Sequence, residues 1–129
     1  LLENLAKQLW EFENLALTVS YYKLNASDEK YQNALQEYDA KAWSYFSNIR
    51  IELSKAHRLT SADTYQMLYD FYRDWLIEMD AILMALVKNN VSIEEWRKYH
   101  DAFQATIGEK TDPILNRLSE EFHLGKQNN

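Results

Sequence analysis

The chain has 129 residues, 47% of them hydrophobic, with 2 glycines, 1 proline and no cysteine. That suits one domain with one core and lacks the turn residues or the polarity that β-sandwiches and disordered chains show. The net charge is -6, and 14 Lys and Arg are dispersed among 20 Asp and Glu, which argues against a nucleic-acid partner.

Leu2, Leu5, Leu9, Phe12, Ala16 and Val19 recur at steps of three and four, the spacing of a buried helical seam, and predict a first helix over residues 1–24. Asn25, Ala26 and Ser27 interrupt it. Ser27 followed by Asp28 and Glu29 supplies a capping hydroxyl and two acids at the positive end of a second helix. The seam of that helix reads Leu35, Tyr38, Ala42, Tyr45, Ile49, Glu52, Ala56 and Leu59. Thr60 with Asp63 three residues on has the form of a capping box and opens a third helix. Its seam, Tyr65, Leu68, Tyr72, Trp75, Met79, Ile82 and Leu86, keeps the helical steps without exception. Asn89 and Asn90 close it. Val91, Ser92, Glu95 and Trp96 combine a hydrophobic staple with a capping box and start a fourth helix at Ile93.

Gly108 and Thr111-Asp112-Pro113 offer that last helix a stop and a fresh start. Its seam nevertheless runs through them as Trp96, His100, Phe103, Ile107, Thr111, Ile114 and Leu118. One helix, kinked near Gly108 to Pro113, is therefore favoured over two short ones. Short connections between four comparable helices predict an all-α, antiparallel up-down-up-down four-helix bundle over residues 1–124, followed by a polar tail, 125–129. The longest apolar run, Ala81 to Val87, falls far short of the roughly 20 residues that span a bilayer.

Few residues offer chemistry. The absence of cysteine removes disulfides and thiolate ligands. A di-iron bundle needs two Glu-x-x-His pairs, and only Glu120 with His123 has that spacing, while His57 and His100 lack the preceding glutamate. No metal or cofactor is expected. His100, on the seam, reads as a hydrogen-bonded core histidine. Glu52, also on a seam, either pairs with Arg117 or leans out to water. Tyr31, Tyr38 and Tyr45 stand at heptad intervals opposite Tyr65, Tyr72 and Trp75, a stripe that either packs in the core or forms an aromatic cleft between the second and third helices. Tyr21, Tyr22, Trp43, Ile51 and Phe71 fall outside the narrow seams, and a widened core stripe is the expected reason.

The function expected from these features is that of a non-enzymatic helical interaction module, with a protein partner or a second copy of the chain. The uncapped Leu1-Leu2 start suggests the soluble part of an N-terminally anchored bacterial protein, extracytoplasmic if the upstream segment is a signal or anchor and otherwise cytoplasmic. Two alternatives stand beside it. One is an extracytoplasmic small-ligand sensor using the aromatic cleft with Arg50 or Arg117 for an anion. The other is a ferritin-like metal-dependent oxidoreductase, weakened by its ligand count.

Overall fold

The computed structural model describes residues 2–127, with side chains through residue 122. Leu1, Asn128 and Asn129, and the side chains of His123 onward, lie outside the described residues. The chain forms an all-α four-helix bundle: α1 (Leu2–Asn25), α2 (Asp28–Leu59), α3 (62–88) and α4 (Ile93–Gln127). No helix is long and apolar enough to cross a membrane among the described residues.

Cross-helix contacts set the order of the bundle. Asn4 meets Glu52, Gln8 meets Asn48 and Glu11 meets Tyr45, so partners on α2 descend as those on α1 rise. The same holds between α3 and α4, where Thr64 meets Arg117, Trp75 meets Phe103 and Met79 meets Tyr99. The core fills the space between: Leu5, Leu9, Phe12, Ala16 and Val19 from α1, then Tyr38, Phe46, Ile49 and Ala56 from α2, all buried. α3 adds Leu68, Leu76, Met79 and Leu83, and α4 adds Trp96, Tyr99, Ile114 and Leu118.

Local chemistry accounts for the helix ends. Ser27 is extended and its side chain accepts from the Lys30 amide, starting α2 as its sequence predicts. Thr60 does not start α3. Its amide and its hydroxyl both bond back to the Ala56 carbonyl, closing α2, and Ser61 is the cap instead, accepting from the Thr64 amide at 3.2 Å. Beyond Lys88, Asn90 takes a φ of 48°, a left-handed conformation that asparagine tolerates better than most residues.

α3 is not the uniform helix its seam predicts. Ala62–Phe71 and Glu78–Lys88 are α-helical, and Tyr72–Ile77 between them is π-helical. A π turn accommodates one extra residue. The core position one would assign to Trp75, seven residues after Leu68, passes to Leu76, which is fully buried, and Trp75 becomes half-buried. Downstream the buried residues step by three and four again, as Met79, Leu83 and Leu86.

α4 runs as one helix through Gly108 and Pro113 and continues through Gln127, past the end expected at Leu124. Gly108 has no conformational need to be glycine. A Cβ built there would touch only Asp112 Oδ2, at 3.7 Å. On α2, Leu59 is 61% exposed although it ends the predicted seam, because the buried row finishes at Leu53 and Ala56.

These placements lead to two expectations. Leu76→Ala should lose about 2–5 kcal/mol in urea denaturation, as buried leucine truncations do, whereas Leu59→Ala should stay within about 0.5 kcal/mol. Gly108→Ala should raise stability by about 0.5–1 kcal/mol, because the change lowers the entropy of the unfolded chain without a clash in the helix.

Candidate functional site

The centre of the bundle holds an acid. Glu13 projects from α1 with none of its surface exposed. Its Oε2 accepts hydrogen bonds from Trp75 Nε1, in the π turn of α3, at 3.0 Å and from Thr111 Oγ1 of α4 at 2.8 Å. Its Oε1 is buried without a partner among the described residues. Burial pushes this carboxyl up from 4.5 to about 7, the bonds from Trp75 and Thr111 work the other way, and the charge of Asp112 adds to the rise.

Two other polar groups sit inside the fold. His100 is buried, as its seam position implies, and its Nδ1 lies 2.6 Å from Ser20 Oγ. That serine is fully buried and also donates to the Leu17 carbonyl, so its hydroxyl is closed off from any substrate as a nucleophile. Glu52 neither pairs with Arg117 nor turns to water. It is 1% exposed and accepts from Asn4 Nδ2 at 2.6 Å and Lys55 Nζ at 3.1 Å. Arg117 instead donates to Thr64 Oγ1. Glu121, bonded to Ser61 and Thr64, stays below the usual carboxylate range; partial burial opposes this, and the hydrogen bonds and Arg117 outweigh it.

The heptad tyrosines of α2 do not form one cleft. Tyr31 packs edge-on against Trp96 under Lys23 Nζ, Tyr38 is buried and donates to Asp80, and Tyr45 donates to Glu11 of α1. Burial, with the Asp80 carboxylate next, raises the Tyr38 phenol. The tyrosines of α3 behave differently. Tyr65, Tyr69 and Tyr72 line one side of an open groove of about 440 Å³, faced by Arg50, Leu53, Ser54 and His57 of α2. His57 meets the Tyr65 ring edge to face at 4.6 Å. Arg50 lies 5.2 Å from the centre of the Trp43 ring and donates to Ser47 Oγ at 3.4 Å. Burial raises the Tyr72 phenol, and the nearby Arg50 charge acts against it.

The expected widening of the core stripe covers only part of its list. Tyr22 and Phe71 are half-buried against the core, but Trp43 is 70% exposed and Tyr21 and Ile51 also face solvent. The metal pair is not assembled in view: Glu120 is exposed and the side chain of His123 lies outside the described residues. No three His, Asp or Glu side chains converge as metal ligands among the described residues.

Glu13 and Tyr69 are the residues that sequence reading misses. Glu13 had a usable signal. Leu9, Glu13, Ala16 and Ser20 form a second row at helical steps beside the apolar seam, and a stripe one residue wider includes both polar members. Tyr69 is one turn from Tyr65 and one from Arg73, whose guanidinium lies 5.7 Å from its ring centre.

Comparison of the chain with protein-family models, curated proteins and solved structures finds no match.

The raised Glu13 carboxyl fixes the sign of a pH effect. Its folded value exceeds its unfolded one, so the associated stability is fully present below about pH 4.5 and is lost as pH rises through about 7. At about 1.4 kcal/mol per pH unit this amounts to roughly 3 kcal/mol. Glu13→Gln should abolish that component. Urea denaturation at pH 5 and pH 8 should show the variant gaining on the native protein by about 2–3 kcal/mol between the two, and an unchanged difference would detach Glu13 from the pH response.

Proposed function

We propose that this domain is a non-enzymatic interaction module whose binding face is the groove between α2 and α3. The observation that carries the reading is the clustering of Trp43, Arg50, Tyr65, Tyr69 and Tyr72 along one open face. Tryptophan, tyrosine and arginine are the residue types that dominate binding hot spots, because they offer large rigid surfaces with a polar handle. Trp43 and Tyr69 are 70% and 41% exposed, so their apolar faces gain from being covered.

A small-ligand sensor would use the same groove and the same arginine. Small-molecule sites enclose most of the ligand surface, and this groove lies open between two helix backs, a shape that favours a macromolecular partner. The acid at the bundle centre supports no enzymatic reading on its own, since Glu13 has no exposed surface through which a substrate could reach it.

The test is selective loss of capture. The double variant Trp43→Ala/Tyr69→Ala should keep its helical circular-dichroism spectrum and remain within about 1 kcal/mol of native stability, as surface truncations do. Proteins retained by the native domain from an extract of its source cells should be lost by the variant. Equal retention by both would move the binding face elsewhere.

A further inference from the structure

We infer that the partner presents an acidic segment to the α2–α3 groove, with one carboxylate pairing Arg50 against the Trp43 indole. This rests on the interaction-module reading above. What carries it is that Arg50 is the one lysine or arginine lining the groove among the described residues, and it has no acid at the helical offsets that pair other cations of the chain. Lys41, Lys55, Arg73, Arg97 and Lys98 each pair with an acid three or four residues before them on the same helix, namely Glu37, Glu52, Asp70, Glu94 and Glu95. At the same offsets Arg50 has Ser47 and Phe46, and it forms no ion pair among the described residues. Arg58, Arg117 and several lysines also form no ion pair among the described residues, and Arg50 differs from them in lining the groove, 5.2 Å from the centre of the Trp43 ring.

The surroundings match a carboxylate better than another guest. A guanidinium offers a planar fork of donors that a carboxylate engages with two parallel bonds, and at Arg50 a single long bond to Ser47 Oγ, at 3.4 Å, competes for it among the described residues. Arg73, across the groove beside Tyr69, is already taken by Asp70 and Asp74, and those two acids would repel a carboxylate placed on the α3 side. Binding is thereby steered toward Arg50. The rings of Tyr65, Tyr69 and Tyr72 supply apolar contact for the neighbouring side chains of the segment, and from Arg50 to His57 the floor extends about 10 Å along α2, at 1.5 Å per residue. That length suits several residues of a peptide.

The probe is a blocked sixteen-residue peptide alternating glutamate with phenylalanine and leucine, titrated into isotope-labelled protein and followed by the Trp43 indole and groove amide resonances. A second peptide has lysine at every glutamate position. The glutamate peptide should shift resonances of residues 43–57 and 65–72, bind more weakly as salt rises, and lose at least tenfold in affinity with Arg50→Gln. Arg50→Lys should recover part of the loss, and Arg58→Gln, exposed on α2 away from the groove lining, should leave binding unchanged. Equal affinity for the lysine peptide, or an unchanged affinity in Arg50→Gln, overturns the acidic partner. If the lysine peptide then still moves the groove resonances, the module reading survives that failure. If neither peptide moves them, the acidic partner is overturned and the binding face rests on the capture experiment alone. Phosphatidylserine vesicles that displace the glutamate peptide and engage Arg50 more strongly would overturn it in favour of an anionic lipid surface.

Discussion

The hydrogen bonds that Glu13 accepts from Trp75 and Thr111 tie α1, α3 and α4 to one level. Apolar stripes alone allow neighbouring helices to slide by a turn at modest cost, since one leucine replaces another in the seam. A buried carboxyl does not allow it, because a slide strips its donors and leaves the group desolvated and unpaired. Ser20 with His100 fixes α1 against α4 near one end, and Asn4 with Glu52 fixes α1 against α2 near the other. α1 is thus the helix against which the others are aligned, and its polar residues specify the alignment that its leucines only permit.

The specification is costly. Glu13 keeps one oxygen without a donor, and so does Glu52. For Glu13 the cost is moderated by its raised carboxyl, which spends much of the range below neutrality uncharged. A neutral acid buried with two donors is far cheaper than a buried anion. A bundle held this way trades stability at high pH for a single arrangement of its helices.

Most of the architecture was legible because helical periodicity is a local property. Among the described residues, the seams of α1 and α4 name every buried apolar residue on those helices except Tyr99, while the buried Gln8, Glu13 and Ser20 escape the α1 seam, and the seam of α4 correctly bridges Gly108 and Pro113, since its spacing is indifferent to a single missing amide donor. The sequence pattern puts the α2–α3 boundary one residue early because Thr60 and Ser61 both carry capping hydroxyls, and which one faces forward depends on backbone geometry. Trp75 and Leu76 exchange roles for a related reason: a π turn leaves the residue pattern looking regular and changes only the rotation per residue. The site was less legible. Arg50 and the aromatic cleft were visible as residues, but Tyr31, Tyr38 and Tyr45 disperse over different neighbours, because a heptad spacing drifts about 20° per repeat around a straight helix. Glu13 was hidden by the convention that a seam is apolar.

The π turn of α3 also bears on how this protein can change over generations. An extra residue in a helix normally rotates everything beyond it out of phase, so chain length within a bundle is tightly held. Here the surplus is absorbed within Tyr72–Ile77, between a stretch that faces the groove through Tyr65 and Tyr69 and a stretch that faces the core through Met79, Leu83 and Leu86. Loss of one residue from the turn would return the rod to a plain α-helix with both stretches still in phase, since the buried Leu68 and Leu76 would then stand seven residues apart, about two turns, on one face. The turn thus acts as slack in the rod, and a single-codon deletion at this place is a change of length that leaves both the groove-facing and the buried side chains where they are.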